Sequence, residues 1–160
     1  KVDRGTSKLA FDDRNKVDIK TLDSVLENFK EFQNSKLIKI DTDGYDFKIL
    51  KGSHTLLLNS RPVIFVEFDP NLMRANGEDI FSLFAFFTEY QYENIIFYDN
   101  FGKYVISLNL DEKEKLFDLS NYFESSDSEK FCDICVFHAQ DKDLFELTRK
   151  NELDFFSKNR

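Results

Sequence analysis

The sequence has no tryptophan, two cysteines, and no apolar run approaching the roughly 18 residues that span a bilayer. A membrane span is therefore not expected, and the opening "KVDRGTSKLAFDD" carries no apolar signal core, so the expectation is a cytoplasmic protein. Positive charge is also scarce, with 22 Lys and Arg against 30 Asp and Glu and a formal net charge of −8. Nucleic-acid binding needs a basic face that displaces counterions from phosphates, and that deficit argues against it. Three catalytic signatures are missing: the G-x-S-x-G elbow, the H-E-x-x-H zinc helix and the G-x-x-x-x-G-K-[ST] phosphate loop. The two cysteines, Cys132 and Cys135 in "FCDICVF", have a C-x-x-C spacing, but the segment alternates like a strand. Residues three apart then point to opposite faces, and no second pair completes a zinc site, so both read as buried thiols.

What is present is a globular composition, 41% apolar with 19 Phe, in a length that fits one domain. At 160 residues about 70% of the surface of the unfolded chain can be buried, enough for a core without staples. "KVDIKTLD" (Lys16 to Asp23) alternates as a strand. "SVLENFKEF" then places Val25, Leu26, Phe29 and Phe32 at helical spacing, with Asp23 or Ser24 available as N-cap. "LIKI" is a short strand, followed by a helical stripe through Phe47, Leu50, Leu57 and Leu58 that Gly52 interrupts. "RPVIFVEFDP" opens on Pro62 and runs apolar from Val63 to Val66, as in a strand covered on both faces. "GEDIFSLFAFFTEY" repeats Ile80, Leu83, Phe84 and Phe87 as a helix, and "ENIIFYDNFGKYVISL" reads as a hairpin turning at Asp99, Asn100 and Gly102. A short helix ("DEKEKLFDLSNYF"), a polar loop ("ESSDSEK"), a strand ("FCDICVFHA") and a terminal helix complete the chain, with no internal repeat and no linker. The order β-α-β-α-β-α-β predicts an α/β fold with a mostly parallel sheet, flanking helices, an antiparallel hairpin and a final strand.

Ligands of such sheets bind outside the carboxyl ends of the strands. Two strands here end in acid, Asp41 and Asp43 after "LIKI", Glu67 and Asp69 after "VIFV". If the two strands are neighbours, about 4.8 Å apart, four carboxylates crowd one rim. Lys39 shares a face with Asp41 by the period of two and is placed to neutralise Asp41 or Glu67. Crowded carboxylates have raised pKa values, which suits a general base, and they also suit a hard cation such as Mg²⁺. Gly44 provides a turn without a side chain where a ligand can come close. A second reading stays open, that Asp41 and Asp43 only cap the following helix. His54 and His138 lie near no nucleophile at recognisable spacing and read as surface or packing residues.

Over Lys16 to Asp69 the chain resembles the later part of the FkbM family of S-adenosylmethionine-dependent methyltransferases. The resemblance rests on Thr21, Leu22 and Asp23, on Lys39, Ile40, Asp41, Asp43, Gly44, Asp46, Leu50 and Gly52, and on Arg61, Pro62 and Glu67. Asp43 and Asp46 stand where that family usually has glutamate, one methylene longer. The family's glycine-rich "D-x-G-A-N-x-G" turn, which cradles the methionine and ribose of the cofactor, and the acidic end of its second strand occur nowhere in this chain. The expectation is a single partial domain over residues 1–160, Rossmann-like, with the first strands and the cofactor-binding half absent.

The resemblance implies S-adenosylmethionine as methyl donor and a small-molecule or sugar hydroxyl as acceptor, with this chain carrying the substrate side. Asp41 is the first candidate for the base or a metal ligand and Glu67 the second, while Lys39, Asp43 and Asp69 are candidates to orient substrate. The alternative is a non-catalytic α/β interaction module that kept the scaffold. Loss of the first strands would leave "LIKI" with an open edge, which predicts self-association.

Overall fold

The structure, a computed structural model, describes residues 18–124 and 131–158. Five strands form one sheet: β1 (Leu37–Ile40), β2 (Val63–Phe68), β3 (Tyr92–Asp99), β4 (Tyr104–Asn109) and β5 (Cys132–His138), in the order β1-β2-β5-β3-β4. Only β1 and β2 pair in parallel; β2–β5, β5–β3 and β3–β4 are antiparallel. The fold is α/β, but the sheet is mixed rather than mostly parallel. The alternation of strands and helices correctly implies that β1, β2 and β3 run the same way. It does not reveal that β5 enters between β2 and β3 in the opposite sense, so that those two strands never share a hydrogen-bond ladder.

Helices α2 (Asp46–Lys51) and α3 (His54–Asn59) link β1 to β2. Helices α4 (Pro70–Ala75) and α5 (Ile80–Glu89) link β2 to β3, α6 (Lys113–Glu124) follows the hairpin, and α7 (Lys142–Lys158) is the last described helix. On one face of the sheet, Ile64, Val66, Phe68, Phe97 and Ile134 pack against Phe47 and Leu50 of α2, against Leu83, Phe84 and Phe87 of α5, and against Leu116 and Phe123 of α6. On the other, Val63, Ile96, Tyr98, Cys135 and Phe137 pack against Phe145 of α7. Cys132 and Cys135 are free and buried, one in each cluster, as strand alternation requires. Burial pushes both thiols up, Cys135 to about 12, so neither is a thiolate near neutrality.

Several expectations change. The described part of the Lys16 to Asp23 segment is not a strand: residues 18–20 are irregular and Leu22–Leu26 forms a short helix, α1. Alternation alone does not make a strand without a neighbour to pair with. The N-cap is Thr21, whose hydroxyl accepts from Ser24 N at 3.2 Å. Asp23 caps a distant helix instead, accepting from Thr55 N (2.8 Å) and Leu56 N (3.2 Å) at the start of α3. The stripe through Phe29 and Phe32 does not prolong α1, and both rings stay exposed. Gly52 divides its segment into two helices. Helix α4 was not anticipated, although Asp69-Pro70, an N-cap residue before proline at the first helical position, is its signature. The expected polar loop runs from Glu124 to Lys130; Glu124 instead ends α6, and residues 125–130 lie outside the described residues. Among the described residues no helix is long and apolar enough to cross a membrane.

Candidate functional site at the carboxyl rim of the sheet

The turn after β1 is built by Asp46. This carboxylate, 4% exposed, accepts from Thr42 N and from Gly44 N, each at 3.1 Å, and so closes "DTDGYD" against the start of α2. Burial pushes its pKa up and the backbone donors pull against that. Asp43 and Gly44 take positive φ values of 51° and 88°. A Cβ on Gly44 would lie 2.7 Å from Leu72 Cβ and 2.8 Å from Asn76 Nδ2, and Asn76 donates to Gly44 O at 3.2 Å. The glycine thus makes room for α4 rather than for a ligand. Neither Asp41 nor Asp43 caps α2, whose N-cap position, Tyr45, has no side-chain cap. The capping reading of those two residues is therefore not what the structure shows.

The candidate residues do gather at one end of the sheet, and they differ sharply in environment. Asp41 stands past β1, 60% exposed, and accepts from Lys39 Nζ at 2.9 Å. That hydrogen bond and charge hold the Lys39 ammonium above its ordinary value. Asp69 caps α4, accepting from Asn71 N (2.9 Å) and Leu72 N (3.0 Å). Glu67, the penultimate residue of β2, is half-buried, and its Oε2 is buried with no hydrogen-bond partner. Burial first, then the charges of Asp46, Asp41, Asp69 and Asp43, push its carboxyl up to about 7. One rim thus combines a helix cap, a turn clamp, an exposed ion pair and a single carboxyl poised near neutrality.

The histidines sit elsewhere: His54 Nδ1 is hydrogen-bonded to Tyr90 Oη, and His138, buried, accepts from Gln140 N at 3.0 Å through Nδ1. Among the described residues no three His, Cys, Asp or Glu come together as a metal site, so the expectation of Mg²⁺ has no support. Gly44, the glycine of the rim, is closed by Leu72 and Asn76 of α4 and its C-cap, so it leaves no open approach for S-adenosylmethionine at that turn. Sequence reasoning missed Asp133, the second residue of β5, which faces Glu67 across the ladder. Its signal was faint, an acid in a strand of core residues.

The methyltransferase FkbM domain matches residues 4–93, which include Lys39, Asp41, Asp43, Glu67 and Asp69. No curated protein and no solved structure matches the chain. With more than half of its 160 residues inside that match, and both acid-ended strands among them, the chain belongs to the FkbM methyltransferase family.

Proposed function

We propose that the chain carries the acceptor side of an S-adenosylmethionine-dependent O-methyltransferase acting on a small-molecule or sugar hydroxyl, with Glu67 as the general base. The observation that carries this reading is the state of Glu67, half-buried, with a partnerless oxygen and a pKa of about 7. A base in that range is ionised often enough near neutral pH and still binds a proton well, and such a group contributes about 10²- to 10⁴-fold. Glu67 is better placed for this than Asp41, whose charge is exposed and committed to Lys39. The Lys39–Asp41 pair is assigned to orient acceptor oxygens at the outer edge of the rim. Asp43, in the turn, and Asp69, which orders α4, frame the other side. The common direction of β1, β2 and β3, with Glu67 at a carboxyl end, supports a Rossmann-like arrangement.

One observation favours the second reading, a non-catalytic interaction module: Gly44, the glycine of the rim, is closed by α4 rather than open to a ligand. Methyl transfer from labelled S-adenosylmethionine to a panel of polyhydroxylated acceptors, with the chain in its full reading frame, separates the two. Turnover should fall about 10²-fold or more in Glu67→Gln and far less in Asp41→Asn. Undiminished turnover in Glu67→Gln would remove the base, and no turnover with any acceptor would favour the module.

A further inference from the structure

Away from the rim, helices α5 and α6 share a groove on their outer side. Phe81 of α5 and Phe117 of α6, 47% and 49% exposed, stack on each other with ring centroids 5.8 Å apart and 19° between their planes. Each ring covers one face with the other ring and leaves the second face to water. The start of α5 lies beside Asn121 and its end beside Lys113, so the two helices run in opposite senses. Phe81, Ala85 and Thr88 on α5, and Lys113, Phe117 and Asn121 on α6, follow helical spacing, and each helix thus lends one stripe to the groove. Cavities of about 310 and 390 Å³ lie on either side of the stacked pair. Isolated exposed rings are ordinary on a surface, whereas two that meet across a groove make a continuous apolar strip.

The charge along this strip has one dominant sign. Asp111, Glu114 and Asp118 stand exposed beside it, and among the described residues none of the three carboxylates has a hydrogen bond or an ion pair. Among the described residues that line the groove, Lys113 is the only unpaired cation, since Arg74 is bonded to Glu124. An apolar strip bordered by free carboxylates complements an apolar strip bordered by ammonium or guanidinium groups, and it repels both anionic lipid and a phosphate backbone. At 1.5 Å per residue the 10 residues of α5 and the 12 of α6 span about 15 and 18 Å, the length of roughly three helical turns. We infer that the α5–α6 groove docks a basic amphipathic helix of a partner protein. Apolar side chains one turn apart on that helix seat against Phe81 and Phe117, and its lysines or arginines meet Asp111, Glu114 and Asp118. The inference is independent of the assignment of Glu67 as base.

The test is fluorescence anisotropy of a labelled peptide of about 14 leucines and lysines, with leucine at helical spacing, titrated with the chain. The native protein should bind it, and should not bind the counterpart in which glutamate replaces lysine. Phe81→Ser with Phe117→Ser should raise Kd about tenfold or more. Glu114→Gln with Asp118→Asn keeps shape, should raise Kd several-fold and should flatten its salt dependence, so the groove is still tested where the serine pair fails to fold. Leu147→Ser with Asp143→Asn, an exposed apolar and acidic pair on α7, should leave Kd in place. The inference is overturned by no binding of the basic peptide, by equal binding of the acidic one, or by a Kd as sensitive to the α7 pair as to the groove. Binding of the chain to phosphatidylserine vesicles that Phe81→Ser with Phe117→Ser abolishes would assign the groove to a lipid surface and overturn it as well.

Discussion

At the scale of single residues, the acidic rim shows how far one residue type can diverge in role. Asp46 spends both oxygens on backbone donors, Asp69 caps a helix, Asp41 answers an exposed lysine, and Glu67 keeps an oxygen partnerless. The pKa of Glu67 therefore links to stability. Its folded value, about 7, lies above the ordinary 4.5, so the folded protein holds this proton more tightly than the unfolded chain does. That contribution is fully present below pH 4.5 and is lost as pH rises through about 7. Glu67→Gln mimics the protonated form, so it should melt at a higher temperature than the native protein at pH 8 and about equal to it at pH 4. Calorimetric melts at the two pH values check this, and a native protein that is the more stable at pH 8 would contradict it.

At the scale of elements, the rim depends on α4, which the alternation of the sequence does not announce. Asp69 caps it, Gly44 admits it, and Asn76 ties its end to the β1–α2 turn. Gly44→Ala places a side chain at φ +88° against Leu72, which should cost about 1–3 kcal/mol and displace α4 from the turn. Asp69→Ala should cost about 1 kcal/mol through the lost cap. Asp41→Ala removes only an exposed ion pair and should change urea midpoints little. A urea series over the three variants gives the order. Gly44→Ala at native stability would mean that α4 does not press on the turn. The same elements show what could be read in advance. The repeat of Ile80, Leu83, Phe84 and Phe87 identified α5, and all four are buried. The weaker stripe through Phe29 and Phe32 misled, because no layer among the described residues covers it.

At the scale of the whole molecule, β1 stands at the edge of the sheet, with only β2 beside it among the described residues. Around it Leu37, Phe29 and Phe32 are exposed, and a groove of about 350 Å³ runs between Leu22, Val25, Phe29 and Leu37. An edge that is apolar and, among the described residues, unpaired favours addition of another strand, and we propose that a second copy of the chain supplies it. Light scattering should show association that grows with concentration and weakens in Leu37→Glu. A monodisperse monomer at millimolar concentration would count against it. The net charge of −8 opposes this contact at long range, so added salt should strengthen it.

The sequence by itself determined the strand ends and their acids, the apolar periods that make β2, α5 and the hairpin, and the common direction of β1, β2 and β3. These are local properties, written within a few residues of one another. Only the tertiary structure decided that β5 runs between β2 and β3, that Asp133 comes to face Glu67, and that α4 closes over Gly44. It also decided which acids of the rim lose their water, Asp46 and Glu67 among them. Desolvation depends on what packs above a side chain, and here the packing comes from segments far away in the chain, such as Leu72 against Gly44 and Asp133 opposite Glu67, beyond the reach of any local pattern.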